Sequence, residues 1–460
     1  MGASEAALLP PVADPGPRAP RLHRRALIGG AAALALGGCA PRRSPAPALT
    51  DARAPGTRRR APEVASPRAT SPSPPRPAPA IPAPDPPLLL LRRYPELGQH
   101  LHPRRLARLP TPVSHAAGLG AAIGVPRLYV KHDDLTATPY GGGKVRKLEL
   151  FLGEALHEGR REVVTSGAVA SHHALATATY ARELGLACTL LLMHGGRARE
   201  ACEALLAEHH QGAALELVGG PAGVARAIRQ RVAREPTPYV IPGGGTSPLG
   251  NLAYVNAALE LGAQVEAGQL PAPDMIVVAL GTMGTAVGLT LGLELLPFAT
   301  SVVAVRVSNL PTSTPERFRA ELAATRAWLT ARGVAVPAPR GDRVRIEGRY
   351  LDAGYGLPTV AGDRAIRLAA GHGLRLDATY TAKAFAAIVD GAAASRDRVV
   401  LFWHTHSAVE APTGASRAVD LPGALRGYCL GAPRIGASSF EPPANAAAER
   451  EGAHHGPEDP

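Results

Sequence analysis

Lysine is what this 460-residue chain nearly does without. Four of its 50 basic residues are lysine (Lys131, Lys144, Lys147 and Lys383); the other 46 are arginine. Arginine can replace lysine in solvation and ion pairing. Its guanidinium keeps its proton, however, and does not condense with a carbonyl, as an amine can. A lysine retained in such a chain is a candidate for covalent chemistry, and three of the four fall between residues 131 and 147. Cysteine is scarce as well. Cys39, Cys188, Cys202 and Cys429 form no CxxC pair and the histidines lack zinc-ligand spacing, so no metal site is expected. Cys188, inside the apolar run ACTLLLM, reads as core. Aromatic residues make up 4% of the chain, with no basic stripe that interleaves them, which argues against a nucleic-acid surface.

Net charge is +12, but residues 1–110 hold 17 arginines against 6 acidic residues, and the remaining 350 are close to neutral. The basic arm begins with RLHRRALIGGAAALALGGCA, residues 21–40. Its apolar run, 26–36, is too short to span a bilayer and fits a signal peptide over residues 1–39. LGGC, 36–39, resembles a bacterial lipobox, which would make Cys39 a lipidated residue anchored to a membrane. Arg24-Arg25 resembles a twin-arginine export signal. The expected location is the bacterial cell envelope, or the cytoplasm if the signal is not used. Residues 40–88, rich in Pro, Ala, Arg and Ser, read as an extended linker. Residues 412–460 lack periodic apolar runs and read as a low-order tail.

Between these ends, apolar β-branched runs (RLYVKHDDL, REVVTSGA, ACTLLLM, DMIVVALG, SVVAVRVS, RVVLFWHT) alternate with stretches at helical spacing. Continuous apolar strands are those covered on both faces, so residues 89–411 are expected to be α/β with parallel sheet. Ligands of such sheets bind at the carboxyl ends of the strands.

Four motifs fall there. GGGKVRKLELFLGEAL, 141–156, puts Lys144 in a helix's first turn after three glycines, as a ligand or Schiff-base lysine, and leaves Lys147 structural. GTMGT (Gly281, Thr282, Met283, Gly284 and Thr285) follows a strand and opens a helix, as a phosphate cradle does. It matches neither GxGxxG nor the nucleotide P-loop. A phosphate site and a Schiff-base lysine together point to pyridoxal phosphate. TSGAVASHHALATATYA, 165–181, places Ser171, His172 and His173 at a helix start suited to a substrate carboxylate; a plain N-cap serine is the alternative. The segments AGYGLPT, LDATYTAKAF and VVLFWHTHS read only as strand ends and turns.

In order, KHDDLTATPYGGGKVRKLE, TSGAVASHHALATA, YVIPGGGTSPLGNLAYVNAALEL, ALGTMGTAVGL, GYGLPT, DATYTAKAF and VLFWHT resemble the D-cysteine desulfhydrases and 1-aminocyclopropane-1-carboxylate deaminases over roughly residues 90–410. The resemblance implies a tryptophan-synthase-β-like fold, pyridoxal phosphate fold type II. Two open parallel-sheet domains would hold the cofactor between them, with a small domain of roughly 147–235 inserted in a large one, usually in a homodimer. It assigns Lys144 as the Schiff-base lysine that moves the substrate's α-proton. Ser171 would face the substrate carboxylate, with His172 and His173 beside it, and Tyr355 and Tyr380 are the active-site tyrosines. Thr381 would lie near the pyridine nitrogen, where ring-opening deaminases carry glutamate and desulfhydrase-like members threonine, so the implied reaction is D-cysteine-type β-elimination. Three positions depart from the pattern. Gly143 stands in place of asparagine, His172 in place of the asparagine at the cofactor's ring hydroxyl, and His406 in place of glycine. They leave open a changed substrate, another reaction such as racemisation or a different deamination, or a fold kept for binding.

Overall fold

In the computed structural model, residues 88–430 are described, except 196–197, 310–312, 338–339, 341–342 and 353. The expected signal peptide, Cys39 and almost all of the linker therefore lie outside the described residues, as do residues 431–460. Among the described residues, ten strands occur in the order β1 (Val113–His115), β2 (Leu128–His132), β3 (Glu162–Ala168), β4 (Ala187–Met193), β5 (Ala214–Leu217), β6 (Tyr239–Val240), β7 (Met275–Leu280), β8 (Ser301–Arg306), β9 (Val344–Glu347) and β10 (Val400–His404). One sheet has the order β1-β2-β10-β7-β8-β9, parallel apart from β1. The other is parallel throughout, in the order β5-β4-β3-β6. The chain thus builds the first two strands of the large sheet, leaves for the small one, and returns to complete the large sheet.

Side-chain alternation explains the continuous apolar runs. Ile276, Val278, Val302, Ala304, Leu401 and Trp403 bury one face of the large sheet against the helices Pro248–Glu266 and Gly284–Glu294. Their neighbours Val277, Val303, Val305, Val400 and Phe402 bury the other face against Val360–Ala370 and Thr381–Asp390. Both faces are dry, so no polar alternation remains for the sequence to show.

A buried ionic cluster sets the entry to the first glycine motif. Lys131 Nζ donates to Glu260 Oε1 at 2.5 Å, and Arg146 bridges Asp133 Oδ1 at 2.7 Å and Glu260 Oε2 at 2.8 Å. Trp403 Nε1–H and the Tyr254 hydroxyl both donate to Asp133 Oδ2, at 2.8 and 3.1 Å. β2, the helix Lys144–His157 and the long helix Pro248–Glu266 are clamped together by these bonds. Removing one partner would strand buried charge.

The tail expectation is corrected over residues 412–430. Leu421, Leu425 and Tyr428 are buried in the small-sheet core, the Tyr428 hydroxyl meets His194 Nδ1 at 2.6 Å, and Cys429 is disulfide-bonded to Cys202. Three anchors and a crosslink hold a segment too short to display a period.

Candidate active site

Turns at the carboxyl ends of β2, β3, β6, β7 and β10 converge, and the expected residues come with them. Lys144 is the first residue of Lys144–His157, and its Nζ donates to the Gly244 carbonyl at 3.2 Å. Burial lowers its ammonium to about 8, so a minor but real fraction is neutral amine near physiological pH, where an ordinary lysine has almost none. The turn before it needs glycine. Gly142 has φ +92°, and a Cβ there would lie 2.8 Å from the Thr405 carbonyl oxygen. At Gly143 a Cβ would lie 2.1 Å from the Tyr254 hydroxyl, which donates to the Gly143 carbonyl at 3.1 Å. The departure from the family's asparagine is thus tied to the position of Tyr254.

Lys147, expected to be structural, belongs to the site. Its Nζ also donates to the Gly244 carbonyl, at 3.3 Å, and lies 2.7 Å from where a Cβ on Gly284 would be. Burial, and then the neighbouring Lys144, push its ammonium well below the usual lysine range. Asn251 Oδ1 and Thr246 Oγ1 lie 2.3 and 3.0 Å from the same point, and Asn251 Oδ1 is buried with no hydrogen-bond partner among the described residues. Thr246 donates to Thr282 Oγ1 at 2.8 Å and accepts from the Gly284 N–H at 3.3 Å. Gly281–Thr285 wraps the start of Gly284–Glu294, whose first-turn N–H groups have no partner within the helix. Met283 takes a left-handed φ of +74° and sends its side chain into the core, so only its backbone is available to the cradle.

Ser171 caps His172–Glu183, its hydroxyl accepting from the Ala174 N–H at 3.3 Å. The His172 ring lies against Tyr380 and His406, with centroids 5.8 and 5.0 Å away, and its Nδ1 is 2.5 Å from the Tyr140 hydroxyl. In the tautomer that accepts Tyr140's proton, Nε2 carries the N–H and is a donor, as the replaced asparagine would be. Burial lowers the pKa of both imidazoles, that of His406 to about 4, so both are neutral at pH 7. His173 does not join them. It is buried with Nε2 2.9 Å from Thr165 Oγ1, because consecutive helical residues face different ways; the expected substrate contact is corrected to a core one.

Tyr355 and Tyr380 share a short hydroxyl–hydroxyl hydrogen bond, and Tyr380 lies over Gly281. Burial raises both hydroxyls, that of Tyr355 to about 12. Thr381 donates to Asp377 Oδ1 at 2.6 Å. Asp377 also accepts the backbone N–H groups of Thr379, Tyr380 and Thr381, and its carboxyl sits at about 2: burial alone would raise it, but His406 and His172 and those hydrogen bonds outweigh burial. Lys147 was singled out in the sequence but read as structural, whereas Asn251, Thr246, Tyr140 and Asp377 were not singled out. The lysine scarcity pointed to Lys147, but the other four carried no signal of their own.

A family profile described as "Pyridoxal-phosphate dependent enzyme" matches residues 105–405. The chain belongs to that family. D-cysteine desulfhydrases of Salmonella newport (strain SL254) and Salmonella heidelberg (strain SL476) are each 35% identical to it over 347 residues, covering 70% of this chain and 97% of theirs. A crystal structure described as an ACC deaminase homologue is 31% identical, with a TM-score of 0.60, and spans 69% of this chain and 95% of its own. This is therefore a pyridoxal phosphate-dependent lyase or deaminase of fold type II, in the D-cysteine desulfhydrase and ACC deaminase group. Its residues fit the cofactor: a glycine-lined cradle, the buried amine of Lys147 and a helix start suit a phosphate, and a partly neutral lysine, Lys144, lies beside it.

Proposed function

We propose that this enzyme carries out β-elimination on a small amino acid of the D-cysteine type, releasing sulfide, pyruvate and ammonia. The observation that carries the reading is Thr381, a hydroxyl where ring-opening deaminases have a carboxylate. When bound, pyridoxal phosphate supplies a carbonyl for the substrate's amine and an electron sink for the α-carbon. Lys144, poised near pH 8, takes the α-proton. Ser171 and the start of His172–Glu183 orient the substrate carboxylate. Lys147, Thr282, the backbone of Met283 and the start of Gly284–Glu294 would hold the phosphate, and His172 would donate to the ring hydroxyl. The raised hydroxyls of Tyr355 and Tyr380 keep their protons; one proton lies in the bond between them, and the other is free to donate to the departing sulfur. Thr381's proton is committed to ionised Asp377, so its neutral hydroxyl would not hold a proton on the ring nitrogen as a carboxylate would, and the electron sink would suffice for losing a good leaving group such as a thiolate.

The test is pyruvate release by the cofactor-loaded chain from D-cysteine, L-cysteine and β-chloroalanine, with sulfide followed for the two cysteines, beside turnover of 1-aminocyclopropane-1-carboxylate. Pyruvate with sulfide from D-cysteine supports the reading. No product from any β-substituted amino acid overturns it, and ring opening alone would move the protein to the deaminases.

We also propose that the enzyme works in the cell envelope, as a homodimer held by lipidated Cys39. The support is the Cys202–Cys429 disulfide, a bond that persists in oxidising compartments. Fractionation of cells expressing wild type and Cys39→Ala checks the anchor, which is wrong if both fractionate alike. Sedimentation of the purified chain checks the dimer.

A further inference from the structure

A second set of reactive side chains lies outside the cofactor site. β1 runs antiparallel to β2 with Ser114 opposite Val130, so Ser114 and His132, two residues further along, are diagonal neighbours on one face of the sheet. The Ser114 hydroxyl is 2.7 Å from His132 Nε2, and His132 Nδ1 is 3.0 Å from Asp134 Oδ1. Asp134 is 7% exposed, and its backbone carbonyl is fixed by the Ala408 N–H at 3.0 Å. Ser114 is exposed, at the wall of a cavity of about 310 Å³ that is also lined by Leu119, Val130, His132, His372 and Leu374. Hydroxyl to Nε2, and Nδ1 to a largely buried carboxylate, is the connectivity of a nucleophile, its base and the group that orients the base. A plain strand-edge hydrogen bond would require neither the carboxylate on the far nitrogen nor a cavity at the hydroxyl.

We propose that Ser114, His132 and Asp134 form a second, hydrolytic site whose substrates are short-chain carboxylic esters. The cavity is at the small end of ligand sites, which run from about 300 Å³, and its mixed lining, with His132 and His372 beside Leu119 and Leu374, leaves room for a short acyl group only. Ser114 Oγ bonds to the ester's carbonyl carbon as its proton passes to His132 Nε2. The bond from that carbon to the alcohol oxygen breaks, and the alcohol leaves with the proton. Water then adds to the acyl carbon, again through His132, and the carboxylic acid leaves as Ser114 regains its proton. Asp134 holds the imidazole in the tautomer that accepts at Nε2.

The test uses the full, cofactor-loaded chain with a fluorophosphonate probe and with p-nitrophenyl acetate. Peptide mapping should find the probe's adduct on Ser114. Ser114→Ala should abolish that adduct and lower ester hydrolysis at least tenfold, and His132→Gln should slow labelling at least tenfold. The cofactor's visible absorbance band should stay unchanged in Ser114→Ala, showing that the fold is intact. An unlabelled Ser114, or labelling at equal rate in His132→Gln, overturns the proposal and leaves an ordinary strand-edge pair.

Discussion

The four lysines share one property that their number alone does not reveal: none is fully exposed, and Lys131, Lys147 and Lys383 are buried. Lys131 neutralises Glu260, and Lys383 holds the carbonyls of Leu351 and Gly354, fixing the turn that carries Tyr355. Lys144 and Lys147 face the cradle. Lys144→Ala is expected to abolish the visible band of bound cofactor. Lys147→Ala should keep the band but weaken cofactor affinity about 10- to 100-fold, the worth of one charge-assisted hydrogen bond, about 1.5–3 kcal/mol. Absorbance titration separates the two. The pH dependence follows from Lys144, whose ammonium cannot attack a carbonyl. Capture of pyridoxal phosphate by the unliganded chain should accelerate as pH rises toward about 8 and level off above it. An ordinary lysine, with a pKa of about 10.4, would still be accelerating there. Stopped-flow absorbance across pH 6–10 would show which.

Elements placed these residues, and the helix Lys144–His157 most of all. It begins where glycine ends, and Arg146 in its first turn is locked by Asp133 and Glu260, which fixes the direction in which Lys144 leaves the backbone. Gly143→Asn sets a Cβ against the Tyr254 hydroxyl and is expected to cost about 1–3 kcal/mol in denaturant unfolding, as overpacking does. Tyr254→Phe loses hydrogen bonds to Asp133 and Gly143 but vacates that space. The double variant should therefore be less destabilised than the two losses added together; strict additivity would show that the contact does not matter. The strands and the helices flanking them were legible in the sequence because burial on both faces of a sheet leaves continuous apolar runs. Ser171 as an N-cap and Lys144 after glycine were legible for a similar reason, since each obeys a local backbone rule. His173 was not: being adjacent in sequence to His172 says nothing of which way a helical side chain turns.

For the molecule as a whole, the crosslink between Cys202 and Cys429 spans 227 residues and ties the segment after β10 to the small-sheet domain. Disulfides typically contribute about 2–4 kcal/mol, chiefly by restricting the unfolded chain. Cys202→Ser should lower the stability measured by urea unfolding by that amount. A reductant should destabilise wild type but leave the variant unchanged, and an equal response in both would show that the bond contributes nothing.

Sequence alone carried the fold class and the cofactor, and it pointed to Lys144. These rest on hydrophobic periodicity, glycine turns and the unique chemistry of an amine, all local in the chain. Only the tertiary structure decided that Lys147 and Asn251 share one cradle, that Asp377 takes the proton of Thr381, that Tyr254 fills the space beside Gly143, and that Cys202 meets Cys429. Each joins side chains through space, from separate elements or across a turn, and a contact of that kind leaves no period, spacing or composition in a single sequence.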